Sequence, residues 1–178
     1  MTQRETRVFG LAGWSGSGKT TLLTRLLPAL IVRGISVSTV KHAHHDFDID
    51  QPGKDSWRHR KEGATEVMVA SSKRWALMHE HRGSREPTLA ELMTHMTKVD
   101  LVLVEGFKSE DFPKLEVYRA LVGKPLMFPE QKGIVGIASD QQLAGCTLPQ
   151  FQIDDIGGIA RFILAQCRLE TLHGAAER

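Results

Sequence analysis

Hydrophobic positions follow two rhythms along the chain. Short apolar runs at Arg7 to Ala12, Ile35 to Lys41, Val99 to Val104, Leu115 to Tyr118 and Gly133 to Ala138 predict strands. Between the first two, Leu22, Leu23, Leu26, Leu27, Leu30 and Ile31 recur at helical spacing and predict a helix over Thr20 to Arg33. Pro28 lies inside it, cannot donate to the carbonyl of Thr24, and predicts a kink. Gly34 predicts a left-handed end to that helix. A second stripe, Ile156, Ile159, Ala160, Ile163, Leu164 and Cys167, predicts a last helix capped by Asp154 or Asp155.

The middle of the chain breaks this alternation. His42 to Gly53 is a polar loop, followed by a short helix around Asp55 to Glu62. Glu66 to Ala70 and Arg74 to His79, joined by Ser71-Ser72-Lys73, predict a β-hairpin. Thr88-Leu89-Ala90-Glu91 fits a capping box opening a helix through about Thr97. Strand, helix and strand in succession dictate right-handed crossovers and a parallel sheet. The expectation is one α/β domain over 1–178: a mostly parallel sheet flanked by helices, with the hairpin inserted.

Composition narrows the function classes. The net charge of +2 gives no support to a broad basic surface, so nucleic acid is not an expected partner. No apolar run reaches the roughly 18 to 20 residues that span a membrane, and the polar start MTQRETRVFG does not read as a signal peptide. The cysteines, Cys146 and Cys167, show no CxxC spacing, and a reduced cytoplasmic protein is expected.

The chemistry concentrates after the first strand. Gly13-Trp14-Ser15-Gly16-Ser17-Gly18-Lys19-Thr20 matches G-x-x-x-x-G-K-[ST] between a predicted strand and a predicted helix, the P-loop arrangement. Backbone amides must turn inward around a β-phosphate, and Gly13, Gly16 and Gly18 supply the dihedrals that allow it. Lys19 can reach β- and γ-phosphate oxygens, the Thr20 hydroxyl can coordinate Mg²⁺, and Thr21 follows in the first helical turn. A P-loop NTPase also needs an acidic residue at the carboxyl end of a second buried strand. Asp100 and Glu105 flank one strand. At about 3.3 Å per residue they stand roughly 16 Å apart, so Glu105 is the metal-side acid and Asp100 is structural.

Two further stretches keep more than one reading. His42, His44, His45, Asp46, Asp48 and Asp50 follow the second strand and could sense a γ-phosphate, hold a transition metal, or form a solvated loop. Asp140, after the strand GIVGIA, could accept from guanine N1 and N2 or cap a turn. No glutamine is placed to orient an attacking water, and no arginine finger in cis is evident, so no residue is assigned as catalytic and at most slow hydrolysis is expected.

With Lys41-His42-x-His44-His45, Gly53-Lys54-Asp55-Ser56 and Val104-Glu105-Gly106-Phe107-Lys108 in view, the chain resembles the GTP-binding MobB family of molybdopterin-guanine dinucleotide biosynthesis adaptors over almost its whole length. The resemblance implies a P-loop NTPase fold binding GTP with Mg²⁺, with molybdopterin as a further candidate ligand. It also implies a dimer and, as partner, the guanylyltransferase that joins GMP to molybdopterin. Gly13 to Thr20 would then be the phosphate loop and Glu105 the Mg²⁺-side acid, with the His44 to Asp50 loop bordering the nucleotide. The exposed edge of the hairpin independently predicts a homodimer. Two other functions compete: a metallochaperone GTPase using the histidine loop, and a small-molecule kinase with Asp46, Asp48 or Asp50 as base.

Overall fold

The computed structural model describes residues 5–43, 47–107 and 109–169. The chain falls into two compact units, one of residues 1–42 with 97–178 and one of residues 43–96.

The first unit holds a six-stranded sheet. Its strands are β1 (Arg7–Ala12), β2 (Val37–Lys41), β5 (Leu101–Glu105), β6 (Lys114–Tyr118), β7 (Ile134–Ser139) and β8 (Gln150–Gln152). The order across the sheet is β2-β5-β1-β6-β7-β8, and every neighbouring pair is parallel. Because the chain always runs the same way, all carboxyl ends open on one edge. The two helices of this unit, α1 (Lys19–Ile31) and α4 (Ile156–Gln166), join one buried cluster with Phe9, Leu11, Leu101, Leu103, Leu115 and Val117. Those strand residues share a parity, so they mark the face that α1 covers. Phe9 is fully buried and meets Phe162 of α4 edge-on, ring centroids 6.4 Å apart. Cys167 closes the cluster, and burial pushes its thiol up to about 11, as expected of inert packing.

Helix ends follow the local chemistry. Gly34 has φ +80°, its N–H donates to the Ile31 carbonyl, and the Ile35 N–H donates to the Leu30 carbonyl, a Schellman end. This is why β2 begins at Val37 and not at Ile35. The Ile35 amide is taken by the helix, and the Ser36 amide donates to Asp100 Oδ2 at 2.9 Å. Asp155, not Asp154, caps α4, accepting from the Gly158 N–H at 2.8 Å.

The second unit contains α2 (Asp55–Lys61), the antiparallel hairpin β3 (Glu66–Ala70) and β4 (Trp75–His79), and α3 (Leu89–Met93). The hairpin is a separate two-stranded sheet. The capping box forms as the sequence predicts, with Thr88 accepting from the Glu91 N–H and Glu91 accepting from the Thr88 N–H. Arg85 beside it, with those Thr88 hydrogen bonds, brings the Glu91 carboxyl down to about 2. The helix stops at Met93 and not near Thr97, because His95 and Met96 close tighter turns onto Leu92 and Met93. Strand β8 and a 3₁₀ turn at Ala120–Val122 have no counterpart in the sequence reading. Gln-Phe-Gln is too short and too polar to signal a strand.

Candidate functional site

Strand β1 ends at Ala12 and α1 starts at Lys19, so Gly13 to Gly18 forms the whole connection. Gly13, Gly16 and Gly18 have φ of +146°, +80° and +96°, a region that side chains disfavour. The constraint is sharpest at Gly13, where a Cβ would lie 2.5 Å from the Val117 carbonyl oxygen and 2.7 Å from Ser17 Oγ. The Ser17 N–H donates to the Trp14 carbonyl at 3.2 Å and closes the loop on itself. Ser17 is buried, and its hydroxyl has no hydrogen-bond partner among the described residues. Lys19 Nζ donates to the carbonyls of Gly13 at 3.0 Å and Trp14 at 2.9 Å, which holds the cation across the loop. Gly18 caps α1 with no side-chain hydrogen bond, leaving the first-turn N–H groups for an anion. Ser15, Gly16, Thr20 and Thr21 are exposed at this mouth.

The acidic partner arrives by register. Glu105 pairs with Leu11 of β1 and with Lys41 of β2, which places it at the same sheet edge as the loop. It shares the parity of Leu101 and Leu103, so it stands on the α1 face. Thr20 Oγ1 lies 3.1 Å from each of its carboxylate oxygens. A hydroxyl and a carboxylate converging on one point are hard oxygen donors of the kind Mg²⁺ takes, beside a loop shaped for phosphate. Gly106 at φ +100° lets the chain leaving Glu105 pass close to His42, since a Cβ there would meet the His42 Cβ at 2.6 Å. Asp100 stands at the opposite end of β5, where its Oδ2 accepts from Ser36 N–H at 2.9 Å and Ser36 Oγ at 2.6 Å. These hydrogen bonds tie it to the residue that precedes β2, at the sheet edge away from the loop.

On the other side of β1 the loop meets β6 and β7. Asp140 follows β7; its Oδ1 accepts from the Ala120 N–H at 3.4 Å and its Oδ2 lies 3.9 Å from Arg119 Nη1. Arg119 is a cation near the phosphate loop that the sequence reading misses. Nothing in its local sequence marks it, because only the β6 register brings it there. The segment that follows is tied to the loop as well. Trp14 Nε1 donates to the Pro125 carbonyl at 2.8 Å, and Lys124 Nζ lies 5.9 Å from the Trp14 ring centroid.

That segment is anchored by Glu116, fully buried on the face of the sheet opposite α1. It accepts from the N–H groups of Met127 at 2.7 Å and Phe128 at 3.0 Å. Burial raises the Glu116 carboxyl above its ordinary range, and the two amide hydrogen bonds oppose the shift without cancelling it. A raised folded-state pKa contributes stability that is complete below the unfolded value and is lost as pH rises through the folded one. The melting temperature should therefore fall across that interval, and Glu116→Gln should flatten the fall. An unchanged slope in thermal melts of the variant would assign the effect to another group.

The second unit answers part of the question about the aspartates. Arg60 binds Asp48 at 2.7 and 2.8 Å, Asp50 at 3.3 Å and Glu80 at 2.9 Å. Asp50 also accepts from Ser56 Oγ at 2.8 Å. The Arg60 hydrogen bond holds the Asp48 carboxyl below its usual range. Both carboxylates thus fasten the loop to α2 and are poor candidates for a base or a metal ligand. His44, His45 and Asp46 lie outside the described residues. Among the described residues no group of three or more His, Cys, Asp or Glu side chains is arranged to hold a metal. A cavity of about 520 Å³ lined by Trp75, Leu77, His79 and His95 belongs wholly to this unit and contains none of the phosphate-loop chemistry.

No helix among the described residues is long and apolar enough to cross a membrane. Comparison with known proteins gives one consistent answer. The family model for molybdopterin guanine dinucleotide synthesis protein B matches residues 8–140, from β1 through Asp140. The molybdopterin-guanine dinucleotide biosynthesis adapter protein of Escherichia coli (strain K12) is 43% identical over 160 residues, covering 88% of this chain and 91% of that protein. The adapter protein of Haemophilus influenzae is 41% identical over 172 residues, covering 94% and 92%. A crystal structure of a molybdopterin-guanine biosynthesis protein B superposes with a TM-score of 0.68 at 28% identity, covering 89% of this chain and 98% of that one. The Bacillus subtilis MobB structure, at 24% identity and a TM-score of 0.71, shares the fold. The family model over residues 8–140 and the two adapter relatives thus show that this chain, with its phosphate loop and parallel sheet, belongs to the molybdopterin guanine dinucleotide synthesis protein B family, MobB.

Proposed function

We propose that this protein is a cytoplasmic GTP-binding adaptor of molybdenum-cofactor biosynthesis, working beside the guanylyltransferase that makes molybdopterin guanine dinucleotide. The observation that carries the reading is the convergence of Thr20 and Glu105 at the mouth of the phosphate loop, in a chain whose relatives are adapter proteins of that pathway. Gly13 to Thr21 hold the phosphates, and Asp140 stands on the nucleoside side. Thr20 and Glu105 would hold Mg²⁺, which would supply positive charge against that of the phosphates. The chain's own part is to cradle and orient the phosphates, and slow hydrolysis fits a sequence that offers no evident glutamine to orient a water and no evident arginine finger in cis. The hairpin exposes Met68, Val69 and Trp75, which supports its burial against a second copy in a homodimer. Molybdopterin itself is a further candidate ligand.

Calorimetry with GTP and ATP, with and without Mg²⁺, together with capture of the purified guanylyltransferase, tests this. GTP should bind in preference, Mg²⁺ should tighten it, and the complex should form. In Glu105→Ala the Mg²⁺-dependent gain should shrink roughly tenfold or more, because the carboxylate side of the metal site is gone. Failure of the wild-type protein to bind either nucleotide, or to associate with the enzyme, would overturn the reading.

A further inference from the structure

Arg119 stands beside the phosphate loop, and the proposed function gives it no task. It is the first residue after β6, three positions beyond Glu116, which registers against Ala12 at the very end of β1. The chain therefore passes the end of β1 and overhangs the loop that follows. Arg119 has the parity of Leu115 and Val117, the side chains of β6 in the α1 core, so it is directed to the face on which α1 begins. A Cβ on Gly18 would lie 3.3 Å from Arg119 Nε and 3.7 Å from Nη2, so the guanidinium rests against the residue that caps α1.

Asp140 reaches the same place from β7. Tyr118 registers against Ser139, so the next residues, Arg119 and Asp140, face each other. Their 3.9 Å separation is long for a bidentate pair, and the Arg119 side chain keeps 39% of its surface exposed. Among the described residues the guanidinium makes this ion pair and no shorter hydrogen bond. It is aimed and tethered while its planar face and donors remain available.

The sheet order decides what it can meet. Thr20 and Glu105 lie on the β5 side of β1, whereas Arg119 and Asp140 come from β6 and β7 on the other side. A nucleotide with its metal-bearing phosphates at Thr20 and Glu105 must send its sugar and base across the β6–β7 side. Resting on the nucleotide-binding reading above, we infer that Arg119 is a nucleoside-binding residue, its guanidinium set against the ribose and base, and that Asp140 is the residue that positions it. The phosphates are left to Lys19 and the loop amides.

Two ligands separate the roles: Mg·GTP, and Mg·tripolyphosphate, which carries the phosphates without a nucleoside and whose affinity can be read by calorimetric competition against GTP. Arg119→Ala should weaken GTP about tenfold, the size of a stacked or charge-assisted arginine contact. It should leave tripolyphosphate within about twofold, the range of an uncoupled substitution. Lys19→Ala should weaken both ligands. Asp140→Ala should weaken GTP in the wild-type background and add nothing to Arg119→Ala, with melting temperatures confirming that each variant folds. Equal losses on both ligands would make Arg119 a phosphate contact and overturn the assignment, as would an unchanged GTP affinity in Arg119→Ala. A wild-type protein that binds neither ligand would overturn the proposed function as well, an outcome distinct from these two.

Discussion

Lys19→Ala should lower the affinity for Mg·GTP on the order of a hundredfold or more, because two charge-assisted contacts worth about 1.5–3 kcal/mol each disappear. In this conformation the ammonium is already desolvated in part, donating to the Gly13 and Trp14 carbonyls at 3.0 and 2.9 Å. A phosphate group that enters the loop takes over those donors with a full negative charge in place of a carbonyl dipole, so binding strengthens an interaction that is already oriented. The alanine variant loses that gain and also the tie that Lys19 makes across the loop. The fold should persist, since the side chain is not part of the apolar core. Calorimetry, or the fluorescence of Trp14 in the loop itself, reads the loss. Unchanged affinity would show that the nucleotide is held elsewhere.

Phe9→Ala should cost about 3–5 kcal/mol of stability, the range for truncating a fully buried aromatic side chain. Phe9 is 0% exposed. It contacts Phe162 edge-on, and Phe162 in turn lies 4.9 Å from the Phe151 ring. The ring thus joins β1 to α4 and, through Phe162, to β8. Neighbours on both flanks are held by the strand ladders β1–β5 and β1–β6, so the cavity cannot close cheaply. Urea titration should show a lower midpoint with an unchanged slope, the sign of lost stability without a change in the surface exposed. A loss under about 1 kcal/mol would mean that the core repacks around the vacancy. The same strand feeds Gly13, so nucleotide affinity should decline only as far as folded protein is lost.

The two substitutions also divide what could be read from the residues. Lys19 is legible because its neighbours repeat a local pattern: glycine spacing, a preceding apolar run and a following helical stripe all lie within about two dozen residues. Phe9 is legible as a core residue because it sits in an apolar run beside that motif. Glu105 needed one more step, the strand length that separates it from Asp100, and the 3.1 Å approach to Thr20 agrees with that step. Strand β8 was not legible. Its three residues carry little apolar signal, and its place comes from pairing Gln150 to Gln152 with Ile137 to Ser139. Several readings of the Asp48 and Asp50 loop stay open on the sequence alone, because only the folded chain brings Arg60, ten residues beyond Asp50, onto both carboxylates.

By itself, the sequence determined the phosphate loop, the helix it opens, the parallel alternation and the family. These depend on local dihedral preference and on the periodicity of apolar residues, both encoded within short stretches. The tertiary structure alone decided which distant side chains share the mouth of that loop. The register of β5 brings Glu105 to Thr20, and those of β6 and β7 set Arg119 and Asp140 face to face beside Gly18. A one-residue slip would turn each of them to the opposite face of the sheet. Such a register is settled by burying a whole sheet face against α1 and α4, a sum over many weak contacts that no single segment carries.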